Sequence, residues 1–279
     1  MQRTTHMISP FEQTLFKRPS TKRAVSRGPT KTAICIGINK YPSGYASLTK
    51  CVDDAKAWQS LLTSQGFTCI MLLDKSATKA NILSTISSII SRNRESGSLI
   101  VITDSSHGSQ VRDMSGDERD GWDEVICPCD WPNYVSDDDL RGIFQNLAPG
   151  VMLTVFLDCC HSGTGTRSME KLPEGVLSIR SLPPLFEDRV NKKVNTKIKG
   201  FVETPTLNHV LFAGCKDSEV SYELNVGGAF TYFAIKAVKL GYNRQQMIDY
   251  IQKKISGLGL SQTPQLECTR EESLHLPFL

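Results

Sequence analysis

Four apolar runs alternating with polar, helix-like stretches constrain this chain more than any other feature. The runs are "TAICIGIN" from Thr32, "FTCIMLLD", "SLIVITD" and "GVMLTVFLD". Each reads as a strand buried on both faces. The stretch "LTKCVDDAKAWQSLLTSQG" has helical spacing through Ala55, Trp58, Leu61 and Leu62, and Gly66 stands where a C-terminal cap is needed. "TKANILSTISSIISRN" places Ile82, Ile86, Ile89 and Ile90 on one helical face. "SDDDLRGIFQNL" begins at Ser136, a helix cap, with acids that suit the positive end of the helix dipole. After residue 207, "NHVLFAGC" adds a strand, and "GGAFTYFAIKAVKLG" and "NRQQMIDYIQKKISGLG" add two helices. Strands alternating with helices pair in parallel through right-handed crossovers, so the expected fold is α/β.

Two segments interrupt the alternation. Residues 109 to 136 are an acidic, glycine-bearing excursion holding one short strand, "EVICPCD". Residues 164 to 207 are rich in Pro, Ser, Lys and Arg, lack a period, and read as a flexible linker. Residues 1 to 30 carry six Arg and Lys against Glu12 and read as a mobile basic arm, with a transit peptide as the alternative. The division is an arm over 1–30 and one α/β domain over 31–279.

Composition narrows the function classes. With 39% hydrophobic and 22% charged residues among 279, the chain is ordinary for a soluble globular protein. A net charge of +3 gives no reason to expect nucleic acid, and no apolar run reaches the length of a membrane span. The N-terminus lacks the apolar core of a secretory signal. Most of the nine cysteines lie in apolar runs: Cys35, Cys69, Cys127, Cys159 and Cys215. Buried free thiols in a reducing cytoplasm explain this usage better than a disulfide framework. Cys127-Pro128-Cys129 is a lone C-x-C without the second pair that a zinc site needs.

The chemistry lies at two strand ends. "LIVITDSSHGSQ" stops at His107-Gly108, and "VMLTVFLDCCHSGTGT" stops at Asp158-Cys159-Cys160-His161. In an open α/β sheet such loops share the carboxyl edge, where active sites form. A free thiol with pKa about 8.5 is mostly protonated at neutral pH, so a positioned histidine must take its proton. The backbone N–H groups of Gly108 and Cys160 are the natural oxyanion donors, and a glycine after the histidine permits close approach. Strand alternation points Cys159 and Cys160 in different directions, and Cys160, nearer the glycine loop, is expected to be the exposed one. On spacing alone, two core thiols and a loop histidine at position 161 explain the pattern as well as catalysis does.

The boxes "LTKCVDDA", "DSSHGSQ", "DERDGWDEVICPCD", "DCCHSGTGT", "GGAFTYF" and "SQTPQLEC" occur in this order between about Thr32 and Cys268. In that order they resemble the metacaspases and the related orthocaspases. The resemblance implies a caspase-like, mostly parallel sheet flanked by helices on both faces. It also implies a large-subunit-like part (31–163), a linker (164–207) and a small-subunit-like part (208–279). It implies a cysteine endopeptidase with Cys160 as nucleophile and His107 as general base. Its substrates would be proteins or peptides cut after Arg or Lys. The basic residues of the exposed linker make it the expected site of self-processing, and charge and hydropathy give no reason to expect a nucleic-acid or membrane partner. Cys51, Asp54, Ser105 and Asp158 align with the pocket for the basic side chain, and two carboxylates there suit a guanidinium.

Two departures from the family pattern bear on activity. Ser106 stands where the histidine box usually has glycine, and a positive φ there would strain it and shift His107. An inactive binding or scaffold module is therefore the competing expectation, with a Cys-dependent acyl transferase as another. The family also implies a calcium site for many members. Asp137 and Asp138 match part of it, and Asp120 or Asp123 could add oxygen ligands. Arg167 falls where some members carry an acid, and helix capping explains the acidic run without a metal.

Overall fold

The computed structural model describes residues 28–112, 122–160, 172–185, 209–216, 219–268 and 274–275. The first apolar run forms β1 (Lys31–Gly37), followed by α1 (Cys51–Ser64), β2 (Thr68–Leu73), α2 (Lys79–Arg92) and β3 (Leu99–Ser105). The chain continues through β4 (His107–Arg112), β5 (Trp122–Cys127), β6 (Val135–Ser136), α3 (Asp137–Phe144) and β7 (Met152–Asp158). Beyond these lie β8 (Val176–Ile179), β9 (His209–Ala213), β10 (Tyr222–Leu224), β11 (Gly227–Gly228), α4 (Ala229–Lys239), α5 (Arg244–Ser256) and β12 (Gln265–Cys268).

The central sheet has the order β12-β9-β7-β3-β1-β2, parallel except for β12 at one edge. Its strands are covered on both sides, and alternation sorts their side chains. Ala33, Cys35, Val101, Phe156, Val210 and Phe212 face α1, α4 and α5. Ile34, Ile36, Ile100, Ile102, Leu153 and Val155 face α2 and α3. This is the expected mostly parallel sheet with helices on both faces. Phe156 is the pillar of the first layer: it stacks on Phe212 at 4.8 Å and meets Trp58 at 4.6 Å.

Local signals also act as expected. Gly66, just past α1, has φ +84°, a conformation a Cβ would strain. Ser136 caps α3 by accepting from Asp139 N at 3.1 Å, and Asp139 accepts from Ser136 N at 3.2 Å. All nine cysteines are free.

Two expectations change. Residues 109–112 are not loop: they continue β4, which pairs antiparallel with β5 in a small sheet β4-β5-β6. Backbone pairing to "WDEVIC" overrides the polar composition of "SQVR". The expected flexible linker also contains structure. Residues 172–185 form β8, in a second small sheet β11-β10-β8, and then run beside β4. Local composition gave no period there because the partners are remote in sequence. The basic arm lies almost wholly outside the described residues, as do 164–171 and 186–207 of the linker.

Truncating the pillar should leave a cavity between sheet and α1. Phe156→Ala is expected to lower unfolding free energy by about 3–5 kcal/mol, read as a shift in the urea midpoint at unchanged slope. A loss under about 1 kcal/mol would mean that neighbours refill the space.

Candidate active site

The strand ends β3 and β7 are neighbours in register, with Ser105 opposite Asp158. The residues after them, His107-Gly108 and Cys159-Cys160, therefore meet at one carboxyl edge. Cys159 turns into the layer under α2 and α3. Cys160 turns the other way, toward the turn before β10, where its thiol donates to the carbonyl of Glu219. Alternation thus separates the two as expected, but Cys160 is as buried as Cys159. The expected exposure fails because the segment carrying Arg180 lies over Cys160.

His107 is held from three sides. Its backbone N–H donates to Tyr41 Oη at 2.8 Å, and the Tyr41 ring tilts against the imidazole at 4.8 Å. Nε2 lies 3.0 Å from the carbonyl of Ala46, so Nε2 carries the proton and Nδ1 the free lone pair. Nδ1 is buried without a hydrogen-bond partner among the described residues. Burial lowers the imidazole to about 4, so it is neutral at neutral pH.

The two expected oxyanion donors converge on one atom. Cys160 N donates to the carbonyl of Arg180 at 3.0 Å, and Gly108 N donates to the same oxygen at 3.1 Å. Gly108 is required here: a Cβ would overlap the Cys160 carbonyl. Ser106 does not have a positive φ, and its hydroxyl donates to buried Asp104 at 2.6 Å. The feared strain on His107 is absent at this position, and a serine answers a carboxylate that glycine could not.

The Arg180 side chain fills a wholly buried acidic pocket. Nη2 lies 2.6 Å from Asp54 Oδ2 and 3.6 Å from Glu223 Oε2, and Nη1 lies 2.8 Å from Asp158 Oδ2. Asp54 enters from α1, whose N-terminus is capped by Asn39 Oδ1, accepting from Cys51 N at 2.9 Å. Gly228 N donates to Asp54 at 3.0 Å, and Thr231 N, in the first turn of α4, donates to Asp158 at 3.1 Å. Ser221 donates to the other Asp158 oxygen at 2.6 Å. A Cβ on Gly228 would strike both Asp158 and the guanidinium.

Of the expected pocket residues, Asp54 and Asp158 ion-pair with the arginine. Cys51 lines the pocket beside Glu223, 3.9 Å from its carboxylate. Ser105 lies one step back, its hydroxyl 3.4 Å from Thr231. Arg180, Glu223, Ser221 and Gly228 were not anticipated as pocket residues. The glycine pair of "GGAFTYF" was the available signal for Gly228. The role of "SQTPQLEC" is also visible: Gln262 donates to Gly214 O at 2.8 Å and accepts from Tyr222 N at 3.2 Å, fixing β10.

Burial lifts Asp54 to about 6 against the pull of Arg180, while Asp158 adds to the rise. Burial also raises Glu223, but hydrogen bonds from Thr49, the Arg180 charge and Lys50 N together hold it below its ordinary value.

Two of the expected calcium residues have a basic partner. Asp137 and Asp138 pair with Arg141 at 2.6 and 2.7 Å, so a calcium ion there would have to displace a guanidinium. Asp123 lies on β5, and Asp120 falls outside the described residues. Among the described residues no group of three or more His, Cys, Asp or Glu could hold a metal ion, Cys127 and Cys129 included.

The chain matches the family model described as metacaspase, peptidase C14 domain, over residues 31–168. It is 30% identical to Metacaspase-1 of Sclerotinia sclerotiorum over 89% of this chain and 68% of that protein. Against Metacaspase-1 of Cryptococcus neoformans it is also 30% identical over 89% of its own length, but it spans only 64% of that relative. Metacaspase-4 of Arabidopsis thaliana is 35% identical over 48% of this chain. Among solved structures, protein GSU0716 from Geobacter sulfurreducens shares the fold, with a TM-score of 0.69 at 23% identity, over 89% of this chain and 97% of that one.

The acidic pocket makes arginine docking pH-dependent. When the guanidinium leaves, its opposing effect is lost and Asp54 titrates above about 6. Docking therefore releases a proton, and affinity falls as pH is lowered toward about 6, then levels off. The expected readout is the affinity of an arginine peptide for a chain carrying Arg180→Gln and Cys160→Ala, with the slope flattened by Asp54→Asn. An unchanged slope in Asp54→Asn would assign the titration to another group.

Proposed function

Because this chain belongs to the metacaspase family of cysteine peptidases, we propose that it is a cysteine endopeptidase that cuts after arginine or lysine, and that one of its substrates is its own Arg180–Ser181 bond. Arg180 carries this reading. Its side chain lies between Asp54, Asp158 and Glu223 while its carbonyl accepts from Gly108 N and Cys160 N. Residues before it, in β8, pair with β10, and residues after it run beside β4. This is how a bound peptide substrate would lie, with the scissile bond between the two.

In the proposed reaction, His107 Nδ1 takes the thiol proton and Cys160 Sγ attacks the carbonyl carbon of Arg180. The thiol hydrogen, now held by Glu219, must first turn to the imidazole. The oxyanion develops where two N–H groups already point, and one such donor is worth roughly 3 to 4 kcal/mol in the transition state. The Arg180 C–Ser181 N bond then breaks, His107 gives its proton to the leaving amine, and water releases the thioester. Neutral His107 makes this general-base chemistry rather than attack by a preformed thiolate. Arginine suits the pocket better than lysine because two nitrogens reach different carboxylates at once.

The proposed chemistry needs no resident cofactor. The proposed partners are proteins or peptides with arginine or lysine before the cut. No described helix is long and apolar enough to cross a membrane.

Incubated wild-type chain is expected to split after Arg180, with the new N-terminus Ser181 read by mass spectrometry. Cys160→Ala should stop the cut, His107→Ala should slow it by at least ~10², and Cys159→Ala should leave it largely intact. Arg180→Gln should stop the cut at this bond. A fragment that forms equally in Cys160→Ala would assign it to a contaminating protease.

Pocket chemistry is tested in trans. Asp158→Ala is expected to lower kcat/KM on arginine peptides by about one and a half to three decades, the effect of leaving a desolvated cation under-paired. A peptide library in which Asp, Leu or Phe outruns Arg and Lys at the cleaved position would overturn the specificity.

A further inference from the structure

The segment after Arg180 is gripped more deeply than the segment before it. In β8, Leu177 is exposed, and Val176 and Ile179 are only half-buried. Beyond the arginine, Leu182 is 2% exposed. It closes an apolar cluster with Val111, Val125, Cys127 and Trp131, edged by Tyr41 and Tyr134. This cluster is separate from the two layers that pack on the central sheet.

The backbone there is held as firmly. Ser181 and Leu185 bridge in parallel to Gly108 and Val111 of β4. Leu182 N donates to Gly108 O at 2.9 Å, and Leu185 N donates to Gln110 O at 3.1 Å. Ser109, wholly buried, donates to Pro183 O at 2.9 Å. Pro183 and Pro184 lack N–H groups, and Pro183 offers only the carbonyl that Ser109 uses.

We propose that the edge of β4 and the pocket around Leu182 form a binding site for the leaving side of protein substrates. The site selects leucine, or a side chain of like shape, at the second residue after the cut. It accepts proline at the next two positions, because no backbone donor is used there. This rests on the endopeptidase reading above and deepens it: recognition does not end at the arginine. The chemistry of the strand addition is general, with main-chain bonds giving affinity and a side-chain pocket giving choice.

The test uses the full-length wild-type chain after self-processing. Two peptides compete in one tube, Val-Leu-Ser-Ile-Arg-Ser-Leu-Pro-Pro-Leu and the same sequence with Ala in place of the residue that corresponds to Leu182. A fluorogenic amide, Val-Leu-Ser-Ile-Arg-amide, runs alongside. Burying a leucine side chain corresponds to a roughly ten- to hundredfold preference for the leucine peptide in kcat/KM. In the chain itself, Leu182→Ala should slow the cut after Arg180 comparably, while Leu182→Met restores it. Equal rates for the two peptides, with the amide still cleaved, would overturn the leaving-side site and leave the arginine specificity standing. No cleavage of the amide or of either peptide would overturn both.

Discussion

A fully buried guanidinium facing three carboxylates is the interaction on which the rest of the structure turns. Moving one such charge out of water costs several kcal/mol, and the cost is offset only by close, well-satisfied partners. The chain supplies them from elements far apart in sequence. Asp54 comes from α1, Asp158 from the end of β7 and Glu223 from β10. Their remaining oxygens are met by Gly228 N, Ser221 and Thr49, and Thr231 N adds a bond to the Asp158 oxygen that faces the arginine. The same groups that neutralise the arginine therefore tie the first part of the chain to the last.

Burial works in opposite senses on the groups around this pocket. It lowers His107 to about 4, which keeps the imidazole free to accept a proton. It raises Asp104 to about 7, and the Ser106 hydroxyl is the neighbour that answers that carboxyl. It raises Asp54 to about 6, so that the pocket gains its full charge on meeting a cation. One dry environment thus serves a neutral base and a cation site at the same sheet edge.

The architecture was legible where periodicity is local. The alternation of "TAICIGIN", "FTCIMLLD", "SLIVITD" and "GVMLTVFLD" with amphipathic helices carries the parallel sheet, and the strand-end loops carry His107, Gly108 and Cys160. Asp54 and Asp158 were legible through the ordered boxes. What escaped depends on contacts with no local trace. Arg180 was one of eight basic residues in a stretch without period, and only its seat between remote acids sets it apart. Glu223 sits on a three-residue strand in a region that gives no strand pattern. Ser106 looked like a defect because its partner, Asp104, cannot be seen as buried from sequence alone. The depth of Cys160 was misjudged for the same reason: what covers it comes from the linker.

The docked arginine has a further consequence, one of reaction order. A strand that belongs to the same molecule meets the cleft at an effective concentration on the order of millimolar, whatever the protein's dilution. Foreign peptides at lower concentration, on the proposed reading, compete poorly for the same acids while that strand is intact. On the proposed reading, the internal cut is unimolecular, so it sets a delay that neither abundance nor dilution alters. Only turnover of other proteins, which follows, depends on how much of them is present.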